Sequence, residues 1–190
     1  MRPRRELLVY AAGGALCGAA VIASVLAAPG WPGIIAAGLA ITMIAIAMID
    51  ARTFTIPDVL VVGGLLLGLI EAAVAAADSS AASVLHAVQR GTALALAFWL
   101  FRLVYRRLRG RDGIGLGDVK LAAVAGLWLD WIAIAVAVDI AALSALAVVL
   151  VQAARGRKIS ATTRIPFGLF FAPAIWLAWL IERLFLRGAF

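Results

Sequence analysis

This chain has few of the side chains that hydrolytic and redox chemistry ordinarily recruit. It carries one histidine, His86, so a zinc site built on paired histidines cannot form within it. Cys17 is the single cysteine, which excludes an intrachain disulfide and a paired-cysteine metal site. The Gly-x-Ser-x-Gly elbow of many serine hydrolases does not occur. Charge is scarce: 14% of the 190 residues are charged, and only ten are acidic. No long polar or low-complexity stretch marks out a soluble domain.

Apolar surface is what the chain has in excess. Hydrophobic residues make up 65% of it, and the mean hydropathy is +1.09. A soluble domain of this size could not cover so much of it. Apolar runs of about 18 residues or more read as membrane-spanning helices. They occupy 7–28, 31–49, 59–77, 83–104, 131–153 and 166–186. A seventh run, 119–129, is too short for a ~30 Å hydrocarbon core at about 1.5 Å per residue. It either starts inside the membrane or spans by recruiting 114–118. The expected fold is all-α, a polytopic membrane protein of about seven helices. Gly14-x-x-x-Gly18 and Gly64-x-x-x-Gly68 are expected on helix-contact faces.

The net charge of +7 could suggest nucleic acid, but its distribution points to a membrane surface. Fourteen of the seventeen basic residues fall on one side of the helix alternation. They lie before the first helix, at Arg52, between Arg102 and Lys120, and between Arg155 and Arg164. The opposite turns, 29–30 and 78–82, carry none. Basic loops mark the cytoplasmic side, so the N-terminus is expected inside and the C-terminus outside. Trp31, Trp128 and Trp131 are expected in an outer aromatic belt. The basic face would suit anionic lipid headgroups. Nucleic acid is not an expected partner.

This topology brings two acids together. Asp50 closes the second helix and Asp118 opens the fifth, at Gly115-Leu116-Gly117-Asp118. Both fall at the cytoplasmic side at similar depth. Ionisable residues at membrane depth are expensive and usually functional. Two carboxylates that meet are the minimum equipment of an aspartic peptidase. Gly115 and Gly117 remove side chains just before Asp118 and permit close approach of another chain. Taken singly, each acid has a plainer reading: Asp118 as a helix N-cap, Asp50 as a polar helix end. A phosphate-cradling loop is disfavoured, because no strand precedes the glycines and the P-loop order is missing.

Other charges compete or assist. Glu71 and Asp139 are rival intramembrane acids, either paired with Arg90 or protonated, and neither has a glycine-rich approach. Lys120 and Arg52 flank the two aspartates, as tuning charges or headgroup contacts. Helix ends suggest a division of labour: Asp118 at a positive end holds the charge, and Asp50 at a negative end keeps the proton. A non-enzymatic reading uses the same residues. Asp50 and Asp118 could relay protons or bind a cation in a small transporter or assembly protein.

Three stretches, in order, resemble the type IV prepilin peptidases, intramembrane aspartic peptidases of the Gly-x-Gly-Asp kind. Ile49-Asp50-Ala51-Arg52-Thr53-Phe54-Thr55-Ile56-Pro57-Asp58 is similar to that family's first-aspartate segment. Gly115-Leu116-Gly117-Asp118-Val119-Lys120 is similar to its second. Ile165-Pro166-Phe167-Gly168 is similar to the Pro-Phe-Gly at the start of its last helix. The resemblance covers roughly 31–186.

It implies that Asp50 and Asp118 are catalytic and that Gly115, Gly117, Lys120, Arg52 and Pro57 shape the site. It implies hydrolysis without metal or cofactor, one carboxylate activating water and the other polarising the scissile carbonyl. Residues 1–30 would form an N-terminal helix and turn, and 31–190 the peptidase core. The substrate would be prepilin-like or pseudopilin-like: a short hydrophilic leader followed by an apolar helix, cut at the cytoplasmic face. The location would be a bacterial or archaeal cytoplasmic membrane. Long members of the family carry a cytoplasmic segment with paired cysteines and also N-methylate their product. Here Pro29-Gly30 stands in that place, which implies a peptidase-only form.

Overall fold

The computed structural model describes residues 2–78, 82–110, 113–156 and 166–186. Outside them lie the turn 79–81, Ile165 and the basic residues Arg111, Arg157, Lys158, Arg164 and Arg187. The side chains of Arg2, Arg4 and Arg5 lie outside as well. Among the described residues seven α-helices follow one another: α1 Arg2–Ala27, α2 Trp31–Thr53, α3 Asp58–Asp78, α4 Ala82–Arg109, α5 Leu116–Trp128, α6 Trp131–Ala154 and α7 Gly168–Ile181. A π-helical turn, Glu182–Leu186, continues α7. No strand occurs among the described residues. Among the described residues five helices are long and apolar enough to cross a membrane: α2, α3, α4, α6, and α7 with its extension. The chain is an all-α polytopic membrane protein.

Two helices outrun their apolar segments. α4 continues to Arg109 because Arg102, Arg106, Arg107 and Arg109 are good helix formers with nothing to break them. α2 continues one turn beyond Ile49, so Asp50 sits inside its last turn. Phe54 then stops α2 in a left-handed conformation (φ 54°), its N–H bonded to the Asp50 carbonyl at 2.9 Å.

The centre of the bundle is built by α2, α5 and α7. Leu39, Met43 and Ile46 of α2 meet Leu121 and Val124 of α5 and Phe171, Ile175 and Trp179 of α7, all fully or almost fully buried. Small residues let these helices approach. A Cβ at Gly64 or Gly68 of α3 would press on Val124, Met43 or Trp128, so this pair does form a contact face. The matching expectation for Gly14 and Gly18 fails. A Cβ at either would meet nothing within 4 Å, and Gly13 instead turns toward Met48 of α2. Trp31 and Trp131 are exposed, as a belt requires. Trp128 is not: it is buried and donates to the Gly64 carbonyl at 3.0 Å.

α5 has 13 residues and is about 20 Å long, shorter than a ~30 Å hydrocarbon core; of the 114–118 segment, 116–118 join the helix and 114–115 do not. It ends at Leu129, which is buried, and Asp130, which is exposed. Non-helical backbone at membrane depth must find partners in protein or water. Here Arg90 Nε donates to the Leu129 carbonyl at 2.9 Å, and the Asp130 N–H donates to Glu182 at 3.3 Å. Arg90 also lies 3.4 Å from the Asp130 carboxylate. Arg90 is therefore committed here and is not the partner of Glu71. Glu71 pairs with Arg183, both side chains nearly buried, and the Arg183 guanidinium also lies over the Trp179 ring.

Candidate active site

The last turn of α2, the first turn of α5 and the first turn of α7 converge. Asp50 is 4% exposed and Asp118 is 9% exposed. They lie within electrostatic reach of one another. Asp118 is the third residue of α5. Its Oδ2 accepts the Gly115 N–H at 3.1 Å, satisfying one of the free donors at the helix start. The capping role expected of Asp118 is thus present, exercised from inside the helix, while Gly115 takes the extended N-cap position.

Asp50 is held by a different helix. Its Oδ2 accepts the Leu169 N–H at 3.0 Å, with the Gly168 N–H also directed at it. Asp50 closes α2, but it also sits at the positive end of α7. The helix-end asymmetry expected between the two acids is therefore offset: each faces a helix N-terminus.

Ile56 links the two halves. A Cβ on Gly117 would lie 2.9 Å from Ile56 Cβ, and a Cβ on Gly168 would lie 2.9 Å from both Ile56 Cδ1 and Asp50 Oδ2. The glycine beside Asp118 and the glycine beside Asp50's donor thus pack on one isoleucine. Neither can carry a side chain without moving a neighbour. This contact was not legible in the sequence beyond the Ile-Pro and Pro-Phe-Gly pairs themselves.

The remaining expected site residues are distributed around this centre. Pro57 is half-buried, and its carbonyl accepts the Leu60 and Val61 N–H groups at 3.1 and 3.2 Å, starting α3. Lys120 points to Asp58 at 2.6 Å, tying the start of α5 to the start of α3. Arg52 is exposed in the last turn of α2. Arg102 of α4 donates to the Ile114 carbonyl and fastens the segment ahead of Gly115. Asp139 lies on an exposed face of α6, and Glu71 is engaged with Arg183. Among the described residues, no three His, Cys, Asp or Glu side chains gather as a metal ion would need.

Residues 37–151, which contain both aspartates, match the sequence profile of the Type IV leader peptidase family. The chain belongs to this family. Among its relatives is a prepilin leader peptidase/N-methyltransferase of Burkholderia pseudomallei, 38% identical over 168 residues, covering 88% of this chain and 52% of the relative. The protein of that name from Pseudomonas aeruginosa is 36% identical over 151 residues, covering 77% of this chain and 50% of its own. The one from Dickeya chrysanthemi is 38% identical over 133 residues, covering 68% and 44%. This type IV leader peptidase family member thus spans about half the length of the curated relatives it matches. No solved structure matches it significantly.

Proposed function

We propose that this chain is a membrane-embedded aspartic endopeptidase that removes the leader of prepilin-like substrates, with Asp50 and Asp118 as the catalytic pair. The observation that carries the reading is the convergence of two buried carboxylates, distant in sequence, at three helix ends. One oxygen of each is fixed by a backbone N–H, which holds the pair without a metal. The two share a proton. One carboxylate deprotonates water, and the other, protonated, donates to the scissile carbonyl. The two carboxylates interact, so the pair titrates as a unit.

The site lies at the cytoplasmic end of the bundle in this reading. The basic bias of the connections supports that side, and the same residues would meet anionic headgroups. Hydrolysis without methyl transfer is the activity proposed for these residues.

Co-expression with a prepilin-type substrate tests the reading. The substrate should lose the mass of its leader and gain no methyl group. An uncleaved substrate in membranes that contain the protein would remove the peptidase assignment. Full cellular function of an Asp50→Asn/Asp118→Asn double variant would do the same. It would leave transport or assembly as the alternative.

A further inference from the structure

Residues 54–57 join α2 to α3, and their backbone is fixed from both sides. Phe54 turns the chain in its left-handed conformation while its N–H closes on the Asp50 carbonyl. The Thr55 hydroxyl donates to Thr53 Oγ1 at 2.7 Å, and Thr53 Oγ1 donates to the Ile49 carbonyl at 2.9 Å. Pro57, with φ locked by its ring, starts α3. Ile56 stands between these anchors. It is β-branched, so its first side-chain torsion has few allowed settings. Its side chain is a stiff object on a fixed mount, half-buried and packed against the core.

We propose that Ile56 is a positioning residue that sets the separation of Asp50 and Asp118. The inference rests on the peptidase reading above and adds the part that spaces the pair. Two contacts carry it. The three heavy atoms nearest to a Cβ on Gly117 all belong to Ile56: Cβ at 2.9 Å, Cγ1 and Cδ1 at 3.1 Å. Gly117 directly precedes Asp118 in the first turn of α5. A Cβ on Gly168 would lie 2.9 Å from Ile56 Cδ1. Gly168 directly precedes Leu169, whose N–H holds Asp50. The base of the side chain thus bears on the helix that carries one acid, and its tip on the helix end that anchors the other. Both contacts fall on glycine, which has no side chain to yield, so a shift at Ile56 passes to the backbone of α5 or α7. A half-buried isoleucine adds less to the core than its size allows. Two carboxylates that share a proton depend on their spacing, and a misplacement of about 1 Å can cost about 10²-fold in rate.

The test replaces Ile56 in the full-length protein and measures kcat and KM for a prepilin-type substrate, per folded molecule, beside thermal denaturation. Ile56→Val keeps the branched base against Gly117 and drops Cδ1, the atom that reaches Gly168. Ile56→Ala keeps only Cβ. kcat should fall roughly tenfold in Ile56→Val and roughly 10²-fold in Ile56→Ala, with KM within about twofold. A packing role predicts fewer folded molecules, each with full kcat. A kcat per folded molecule within about twofold of the unmodified protein in Ile56→Ala overturns the proposal. So does a raised KM at unchanged kcat, which belongs to a substrate contact. If Ile56→Ala does not fold, Ile56→Val decides by the same criteria. Carboxyl infrared titration reads the spacing without substrate. Acids at a new separation couple with a new strength, so the interval between the pair's two protonation steps should change in the same variant. Lys120, Asp58, Arg52 and Arg102, the other charged side chains at these helix ends, are kept in both variants. An unchanged interval overturns the spacing role. A changed interval in a protein that cleaves nothing sinks the peptidase reading and leaves the spacing role standing.

Discussion

Leu169 and Asp50 are 119 residues apart in the chain, and the Leu169 N–H donates to the Asp50 carboxylate at 3.0 Å. The bond places the acid that closes α2 at the opening of α7. A carboxylate at a helix N-terminus is stabilised by about 0.3–1 kcal/mol. Asp118 has the same advantage at the start of α5. Each acid therefore has a helix N-terminus to hold its charge, Asp50 with two backbone donors and Asp118 with one.

Removing either acid should be equally damaging. Asp50→Asn and Asp118→Asn each keep an amide oxygen that can accept the anchoring N–H, so both variants should insert and fold. Each should lower leader cleavage by roughly 10²–10⁴-fold, the range of a lost general acid or base. Mass spectrometry of the substrate, with membrane-fraction levels as control, reads this directly. Near-normal cleavage by either variant would break the pair.

The two site glycines should fail in different ways. At Gly168 a new Cβ meets Asp50 Oδ2 and Ile56 Cδ1, both ends of side chains that can swing aside. Gly168→Ala should barely change stability yet lower kcat by about 10²-fold, because the displaced atom belongs to the carboxylate. At Gly117 the new Cβ meets Ile56 Cβ, which is attached to the backbone. Gly117→Ala should cost about 1–3 kcal/mol of stability as well as activity. Thermal denaturation in detergent beside cleavage rates distinguishes them. Equal stability losses at both positions would contradict this account.

Lys120 and Asp58 should behave as a positioning pair. Their contact is solvent-exposed, so its loss should cost no more than about 1 kcal/mol of stability. Lys120→Glu and Asp58→Lys should each slow cleavage by misplacing the first turn of α5. The double exchange restores opposite charges and should recover most of the rate. Additive losses in the double variant would argue for separate roles.

Glu71 and Arg183 should matter to the bundle and not to the chemistry. Breaking a buried pair leaves one charge unpaired and costs about 3–5 kcal/mol. Glu71→Leu or Arg183→Met alone should lower the melting temperature sharply. The two together should be much better tolerated, which a double-mutant cycle would reveal. Identical losses for the single and double variants would refute the pairing.

Reporter fusions test the orientation proposed here. Fusions at 79–81 and at the C-terminus should read outside, and fusions at 106–110 and 155–158 inside. A connection beside Asp50 that reads opposite to one beside Asp118 would separate the two acids and end the proposal.

The helices were legible in the sequence because an apolar run long enough to cross lipid has few other uses. The 119–129 run was readable as too short by length alone. The partners of the polar residues were not readable. Glu71 could equally well have met Arg90 by sequence, and only the close of α5 at Leu129 and Asp130 engages Arg90 elsewhere. The α7 N-terminus at Asp50 was hidden for a similar reason. Pro-Phe-Gly is visible as a motif, but its contact to α2 depends on how three helices pack. Trp128 misled by composition: a tryptophan at a helix end suits a membrane interface, yet this one fills the centre.

The shortness of α5 bears on how the protein is made. A 13-residue segment has too little apolar length to partition into lipid by itself. Its end at Leu129 is buried, and the carbonyl there is met by Arg90 of α4. α5 must therefore enter the bilayer alongside α4, and Asp118 with it. Asp50 then gains its backbone donor only when α7 arrives. The donor that anchors Asp50 thus comes from a helix that follows both acids in the chain, so a nascent chain stalled before α7 leaves Asp50 without it.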